Sequence, residues 1–408
     1  MTAHETRPPC RPLRVMFLIT SMETGGAEIL LVNLMRGMDP ARMRPELACL
    51  KQPGVLGEIL AHEFPVQSNL IRHKLDSRVL GRLTRLMKQR RIDALVTVGA
   101  GDKMFWGRLA ARRAGVPVVV SALHSTGWPD GVGRLNRLLT PMTDAFVAVA
   151  EPHRQHLIRQ ERFPPHKVFL IPNGIDTERF QASPTARQPW RTRLEIPAAA
   201  PVIGIVAALR PEKNHELFLQ VAGDIACRIP ETRFLVVGDG PRRADLENLA
   251  RRLPCAGRVH FAGNVDDIPG ILSALDIFSL TSRNEASPVS ILEAMSCGLP
   301  VVAPRVGSVD RAVLDGRTGI LVEAGDRSGF VDAWLNLLQN PRRAHRLGQA
   351  GRDHVIGYGS LQGMTDGYMD LLETLHQFKN RQGSGHPGPE LLEGRPLPGT
   401  ASTGISAS

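Results

Sequence analysis

Short apolar runs rich in β-branched residues alternate with longer amphipathic stretches along most of the chain. The short runs predict parallel strands buried on both faces, and the amphipathic stretches predict the helices that cover them. In the first half the predicted strands are Val15–Thr20, Pro45–Leu50, Val66–Ile71, Ala94–Val98, Pro117–Ala122, Asp144–Ala148 and Val168–Ile171. The predicted helices between them include Gly26–Met38, Arg78–Arg91 and Phe105–Ala114.

A second series of the same kind follows a polar, proline-containing segment at 181–200, which we interpret as a linker with room for one short helix. Its predicted strands are Val202–Ala207, Phe234–Val237, Val259–Phe261, Ile277–Leu280, Pro300–Ala303 and Gly319–Val322. Its predicted helices are Glu216–Arg228, Arg242–Leu253, Pro288–Ser296 and Gly329–Leu338.

The sequence therefore predicts an α/β protein of two tandem Rossmann-like, doubly wound domains, 13–180 and 201–361, that face a cleft. Ligands are expected at the carboxyl ends of the strands. Residues 1–12 are polar and proline-rich, and 383–408 are rich in Gly, Pro and Ser, so both ends are predicted to be disordered.

Composition supports a soluble globular protein, since 42% of the 408 residues are hydrophobic and 22% are charged. Five scattered cysteines without a CxxC pair argue for a reducing compartment and against a disulfide framework or a zinc site. The beginning of the chain has no apolar core of a signal peptide, and no apolar run reaches the roughly 20 residues of a membrane span. A cytoplasmic location is expected.

The net charge of +10 suits anionic ligands such as nucleotide diphosphates, acidic membranes or nucleic acid. Arginine on solvated surfaces is the simpler explanation for most of this charge, because net charge says little about partners. No RNA-binding motif or zinc module accompanies it, and aromatic residues make up 5% of the chain. A nucleic-acid partner is therefore not expected.

The most informative segment is Ser282–Val302, in which a strand leads into a polar loop and a helix is predicted to begin at Pro288 with Ser287 as its N-cap. Glu285 lies in that loop and Glu293 lies inside the helix. Free amides at the helix start suit phosphate or sugar oxygens, and the carboxylates can accept hydrogen bonds from sugar hydroxyls. Two acids eight residues apart are common, so the spacing alone is weak.

Arg210 and Lys213 directly follow strand Val202–Ala207 and open a helix. Arginine grips phosphate oxygens with two donors and lysine adds a point charge, so the pair suits a diphosphate without a metal. A solvated basic turn is the alternative explanation.

Paired glycines at Gly25 and Gly26 after the first strand allow close backbone approach to a ligand, although the segment is not the dinucleotide motif GxGxxG. Gly238 opens a comparable turn, which ordinary turn chemistry also explains. His124 follows the strand Pro117–Ala122, where this architecture places active-site groups, although a lone histidine is more often structural.

Together and in this order, these segments resemble the retaining glycosyltransferases of the GT-B fold (family 4), over roughly Leu13 to Leu375. The resemblance implies a nucleotide-sugar donor, a saccharide or lipid-linked acceptor, retention of configuration, and no metal or other cofactor. It implies that Arg210 and Lys213 bind the donor diphosphate, Glu285 the donor sugar and Glu293 the ribose. It also places His124 near the anomeric carbon, and a final helix at about 362–378 back on the first domain.

By the same resemblance, Gly25 and Gly26 border the donor phosphates and the acceptor, and the donor site also includes Gly238 and residues Ala286, Ser287, Pro288 and Val289. The chain departs from the family where glycine often follows the first glutamate, since Ala286 and Ser287 stand there. It departs again at Gly307–Arg311, where the family often has G-G-x-P-E. Donor choice is therefore open, and cell-envelope, exopolysaccharide or lipopolysaccharide synthesis is the expected setting.

The segment Arg72–Arg91 has leucines at helical spacing with many basic residues between them. A basic amphipathic helix can lie on an anionic membrane, which is one hypothesis for peripheral attachment. An ordinary helix that buries its leucines on the sheet is the favoured alternative. Competing functions are a sugar-nucleotide epimerase of GT-B-like fold and a non-catalytic, basic nucleotide-binding or nucleic-acid-binding protein.

Overall fold

The computed structural model describes residues 11–23, 25–73, 76–99, 101–123, 137–285 and 288–382. They form two compact units, one ending at Gly174 and resuming at Leu361, the other spanning Ile175–Ser360. Each unit is built on a parallel sheet with covering helices, so the prediction of two doubly wound α/β units is confirmed.

The first unit carries one parallel sheet with covering helices. Its described strands are β1 (Leu13–Ile19), β2 (Met43–Cys49), β3 (Val66–Gln67), β4 (Ala94–Val98), β5 (Val118–Ala122), β6 (Ala145–Ala148) and β7 (Val168–Leu170). Its described helices are α1 (Gly26–Gly37), α2 (Gly54–Leu60), α3 (Val79–Arg90), α4 (Asp102–Ala114), α5 (Glu151–Arg159) and the C-terminal helix Leu361–Gln382.

The strands of the first sheet lie in the order β3-β2-β1-β4-β5-β6-β7, all parallel. The chain moves outward in one direction from β1 and in the other direction from β4. The loops that leave β1 and β4 therefore diverge at the reversal of strand order, which is where open α/β sheets bind ligands.

The core of the first unit forms because its central strands are apolar on both faces, as parallel strands covered by helices must be. The C-terminal helix joins this core through the buried side chains of Met364 and Tyr368. Arg42 fixes the same helix by ion pairs to Asp370 and Glu373, each 2.7 Å long.

Strand β3 is shorter than predicted and ends at Gln67 rather than at Ile71. The physical reason is Asn69, whose left-handed φ of 57° turns the chain out of the sheet. The amide of Ile71 then bonds to the carbonyl of Leu50 in the loop beyond β2.

The second unit repeats the architecture with a six-stranded parallel sheet. Its described strands are β8 (Val202–Val206), β9 (Arg233–Val237), β10 (Val259–Gly263), β11 (Ile277–Ser279), β12 (Val301–Pro304) and β13 (Gly319–Val322). Its described helices are α6 (Pro184–Arg193), α7 (His215–Arg228), α8 (Arg243–Arg252), α9 (Ile268–Ser273), α10 (Val289–Ser296), α11 (Val309–Ala312), α12 (Arg327–Gln339) and α13 (Pro341–Tyr358).

The strands of this sheet lie in the order β10-β9-β8-β11-β12-β13, which reverses between β8 and β11. Helices α7 and α12 pack on the sheet through Phe218 and Trp334, whose rings meet edge to face at 5.1 Å. The buried Trp334 donates its ring N–H to Ser279 of β11 over 3.0 Å. The loops after β8 and β11 thus start from a tightly packed centre.

The segment 181–200, predicted as a linker, is instead packed into the second unit, and the first unit ends before it, at Gly174 rather than at 180. Ser183 caps helix α6 at the amide of Ala186. Arg187 and the fully buried Arg191 both form ion pairs with Asp276, which precedes β11. These charge-assisted bonds explain why a polar segment stays attached to the sheet.

Candidate active site

The centre of the candidate site is an ion pair between Lys213 and Glu285, at the reversal of strand order in the second sheet. The Nζ of Lys213 lies 2.6 Å from Oε1 of Glu285, and the Oγ of Ser282 donates to the same oxygen over 2.6 Å. The Glu285 side chain is only 7% exposed, whereas that of Lys213 is 24% exposed. One carboxylate oxygen therefore receives two donors while the lysine stays reachable from solvent.

The two loops that carry this pair are bonded to each other. The hydroxyl of Thr281 donates to the carbonyls of Lys213 and Asn214, and the amide of Arg283 donates to the carbonyl of Glu212. Asn214 adopts a left-handed φ of 51° that ends the 3-10 turn of residues 211–213 and starts helix α7. The two loops are therefore held together by these hydrogen bonds as well as by the ion pair.

A third loop, after β12, supports Glu285 from behind. Gly307 has a left-handed φ of 56°, and a Cβ at this position would overlap the carbonyl oxygen of Glu285. The amide of Ser308 donates to the same carbonyl over 3.3 Å. The segment Gly307–Arg311 departs from the family pattern, but it retains at Gly307 the glycine that this close approach requires.

The turn after β9 lies against the turn that carries Arg210. A side chain at Gly238, whose φ is 128°, would overlap the carbonyl oxygen of Ala207. The amide of Leu209 donates to the carbonyl of Asp239 over 3.0 Å. Arg210 itself is exposed, and its guanidinium has no hydrogen bond or ion pair with any residue that the structure describes. It is a cation available to a ligand.

Glu293 lies in helix α10 and is half-buried. Burial raises the pKa of the Glu293 carboxyl to about 7, and the nearby positive charge of Arg179 opposes this rise only in part. Within the described part of the chain its carboxylate has no hydrogen-bond or ion-pair partner. Such a group is available to hydroxyl donors of a ligand.

Helix α10 begins one residue later than predicted, because Pro288 is its N-cap and Val289 its first residue. Its other end is tied to the segment 175–180, since the Ser296 hydroxyl and the Arg352 guanidinium both donate to the carbonyl of Phe180. This connection brings the neighbouring Arg179 toward Glu293.

The first unit places glycines at its own reversal of strand order, with the charged side chains of Glu28 and Lys103 beside them. Gly25 precedes helix α1 and Gly26 begins it, and a Cβ at Gly25 would overlap the Glu28 carboxylate. Two further glycines after β4 were not singled out from the sequence. Gly99 and Gly101 have φ values of 82° and 89°, and Gly101 is the N-cap of α4.

Three predicted site residues, His124, Ala286 and Ser287, lie outside the described residues. Sequence reasoning also missed Ser282 and Gly307. Ser282 is the first residue of the segment Ser282–Val302, so its hydroxyl could have been predicted as a hydrogen-bond donor to Glu285. The contact of Gly307 with Glu285 joins two loops through space, and no local pattern indicates it.

Helix α3, the proposed membrane helix, buries its apolar face inside the first unit. Val79, Leu83 and Met87 are at most 1% exposed and belong to the core beside β1 and β4. The favoured alternative explanation, an ordinary helix on the sheet, is therefore correct for these side chains. No helix among the described residues is long and apolar enough to cross a membrane.

The fold is that of the GT-B enzymes, and comparison with known proteins shows the family. Residues 186–354 match the family "Glycosyl transferases group 1", and residues 24–179 match "Glycosyltransferase Family 4". The chain is 30% identical over 293 residues to a GDP-mannose-dependent α-(1-6)-phosphatidylinositol monomannoside mannosyltransferase of Mycolicibacterium smegmatis, a match that covers 68% of this chain and 75% of that protein. The chain belongs to the group 1 glycosyltransferases.

Other relatives differ in donor. An Escherichia coli UDP-Gal:α-D-GlcNAc-diphosphoundecaprenol α-1,3-galactosyltransferase is 30% identical over 273 residues, covering 64% of this chain and 70% of that protein. Among solved structures, HepE of Anabaena in complex with UDP-glucose superimposes with a TM-score of 0.79 at 22% identity, covering 89% of this chain and all of that one. That likeness supports the GT-B fold.

Within the described ranges, no group of three or more His, Cys, Asp or Glu side chains is placed to hold a metal ion. Lys213 and Arg210 are the cations at the candidate site that could meet a diphosphate.

Proposed function

We propose that this glycosyltransferase moves a sugar, with retention of anomeric configuration, from a nucleotide-sugar donor to a saccharide or lipid-linked acceptor in cell-envelope, exopolysaccharide or lipopolysaccharide synthesis. The proposal is supported mainly by the Lys213–Glu285 ion pair at the reversal of strand order. Arg210, whose guanidinium has no partner among the described residues, lies on the adjoining turn. Ligands of open α/β sheets bind at this place.

The leaving diphosphate accounts for the two cations. As the bond between the anomeric carbon and the diphosphate oxygen breaks, negative charge grows on the diphosphate and positive charge on the sugar. Arg210 and Lys213 stabilise the diphosphate in the transition state, where preorganised charges are most effective. Lys213 exchanges part of its contact with Glu285 for the phosphate, since its side chain is partly exposed.

This exchange gives Glu285 its part in donor recognition. The carboxylate keeps the hydrogen bond from Ser282 and its buried position against Gly307, so it remains oriented while Lys213 turns to the phosphate. It then accepts hydrogen bonds from hydroxyls of the donor sugar. Glu293, without a partner among the described residues, takes the ribose hydroxyls in the same way.

The relatives use GDP-linked and UDP-linked sugars, so the donor is tested directly. The test incubates the purified chain with UDP-, GDP- and ADP-sugars, with and without a lipid extract as acceptor, and measures release of nucleoside diphosphate. We expect one donor to give acceptor-dependent release that persists in EDTA. Conversion of the donor to an isomer without release would identify an epimerase, and binding of nucleotide without either product would identify a non-catalytic protein.

Retention is tested on the same reaction by NMR of the product. The coupling constant of the new anomeric proton should match that of the donor. An inverted anomeric centre would contradict the retaining mechanism while leaving the transferase activity intact. Loss of release in EDTA that added Mg²⁺ restores would contradict metal independence.

A further inference from the structure

The two cations of the candidate site lie on one loop, residues 207–215, which we call the cation loop. It leaves the carboxyl end of β8 and ends at the first residue of α7. At one end the amide of Ala207 donates to the carbonyl of Val237 in β9 over 3.0 Å. At the other end the carbonyl of Asn214 accepts the hydroxyl of Thr281, beyond β11, over 3.0 Å. The two ends of the loop are thus tied to strands on opposite sides of β8.

His215 closes the second end of the cation loop, and only 1% of its surface is exposed. Both of its ring nitrogens are buried and have no hydrogen-bond partner within the described part of the chain. A buried polar atom without a partner lowers stability, and native proteins keep few of them. An apolar side chain would fill this place without that loss. A buried polar ring two residues after Lys213 therefore points to a function at the donor site.

An unpaired acceptor lies beside this ring, at the other end of the loop. Burial lowers the pKa of His215 to about 4, although the charge of Glu216 and the carbonyl of Ala207 both oppose this shift. The ring is therefore neutral near neutral pH and carries one N–H donor. The Ala207 carbonyl accepts no hydrogen bond from any residue that the structure describes. A donor without an acceptor and an acceptor without a donor thus stand at the two ends of the cation loop.

We propose that His215 is a positioning residue of the donor site, whose ring N–H bonds to the Ala207 carbonyl when the nucleotide sugar is bound. This bond joins the two ends of the cation loop and holds Arg210 and Lys213 against the diphosphate. Binding supplies the movement, because Lys213 gives up part of its contact with Glu285 as it turns to the phosphate. The inference deepens the proposed function and rests on it.

The consequence is a coupling between donor binding and the state of the ring. In the free protein the unpaired ring lowers stability, and in the complex that loss is removed. A ligand favours whichever state it stabilises, so the bond between His215 and Ala207 strengthens binding of the nucleoside diphosphate without touching it. A histidine that only fills space would have no such effect.

The experiment compares wild type and His215→Leu by calorimetric titration with UDP, GDP and ADP, and by thermal unfolding without nucleotide. The affinity of the variant for the preferred nucleotide should fall about fivefold to tenfold, which corresponds to the loss of one hydrogen bond. The Tm of the free variant should rise by about 2–4 °C, because a buried unpaired group is removed. A histidine needed only for folding would give a lower Tm, and that result with unchanged affinity would overturn the proposal.

His260→Leu is the matched control. The Nε2 of His260 is also buried without a partner among the described residues, but His260 lies on β10 at the edge of the same sheet. This variant should bind nucleotide as the wild type does. His215→Asn and His215→Gln return an amide N–H to the place of the ring, and one of them should bind within about threefold of the wild type. Weak binding by both would show that the N–H is not what matters.

A measurement on the wild type is independent of whether any variant folds. The ring N–H signal of His215, identified by its absence from His215→Gln, should move downfield in a proton–nitrogen spectrum when the preferred nucleotide is added. A signal that stayed in place at saturating nucleotide would overturn the proposal while the proposed function stood. If the wild type bound none of the three nucleotides, the proposed function would fail, and this inference with it.

Discussion

The two units share one fold but place different chemistry at the same point of it. In both sheets the order of strands reverses beside the first strand of the unit, between β1 and β4 and between β8 and β11. The second unit puts charged side chains there, notably Lys213 and Glu285. The first unit puts glycines there, including Gly25 and Gly101.

The difference shows that the fold supplies a position and the side chains decide its use. Charges on rigid, mutually bonded loops suit the strongly charged part of a substrate, which under the proposed function is the donor diphosphate. Glycines leave the backbone accessible without committing the site to one charge, which suits variable acceptors. If this division is correct, sugar transfer should fall when a charged side chain is removed from the second unit's site. It should also fall when a side chain is added at the glycines of the first unit.

The largest effect is expected from removing the ion pair of the second unit. Lys213→Ala and Glu285→Gln should each lower kcat/KM for transfer by about 100-fold or more, as loss of a preorganised charge commonly does. Both variants should remain folded, because hydrogen bonds from the Thr281 hydroxyl and the Arg283 amide hold the two loops together. Glu212→Gln is the matched control, since Glu212 is exposed on the same turn. Turnover near that of the wild type in either site variant would refute the assignment.

The next effect concerns the loop behind Glu285. Gly307→Ala should lower the free energy of unfolding by about 2–3 kcal/mol, because it combines a left-handed backbone with an overlap against the Glu285 carbonyl. Gly316→Ala serves as the control, since Gly316 has a φ of 69° but open space around its Cβ. It should cost only about 1 kcal/mol. Equal losses in urea denaturation would show that the overlap with Glu285 has no structural importance.

Features of the fold and the site could be predicted from the sequence where they depend on neighbouring residues, and could not where they depend on contacts between distant residues. Each strand was found because apolar periodicity acts over a few neighbouring residues. A short helix was predicted in the polar segment 181–200, but the packing of α6 on the second unit was not, because it depends on Arg191 and Asp276, which are far apart in the chain. Lys213 and Glu285 are likewise separated by 72 positions. Both were predicted as site residues, but their contact with each other was not predicted.

An effect of similar size is expected at Glu293, and it depends on pH. Its pKa of about 7 exceeds the ordinary value of 4.5, so the folded protein holds a proton that the unfolded chain has lost between these two values. Stability from this group is therefore greatest below the lower pKa and falls as the pH rises to the higher one. Glu293→Gln should stabilise the protein by up to about 3 kcal/mol at about pH 8 and by little at about pH 5.

The same substitution should weaken donor binding at the higher pH, because an amide accepts ribose hydroxyl bonds less strongly than a carboxylate. Thermal unfolding with and without nucleotide measures both effects on one sample. Glu212→Gln, without a buried carboxyl, should change neither. A Glu293→Gln variant that is less stable than the wild type at the higher pH would show that the buried carboxylate has a stabilising partner.

The smallest expected effect tests the first unit, where added bulk rather than lost charge should matter. Gly26 is exposed at the start of α1, and a Cβ there meets nothing within 4 Å. Gly26→Ala should therefore leave stability within about 0.5 kcal/mol of the wild type. Transfer should nevertheless fall roughly tenfold if a ligand approaches this backbone, since small displacements of a substrate are costly. Gly81→Ala, equally open within α3, should alter neither quantity strongly. If both variants transferred sugar normally, Gly26 would serve only to begin helix α1. The two units would then differ at their reversals of strand order only in the charged side chains of the second unit.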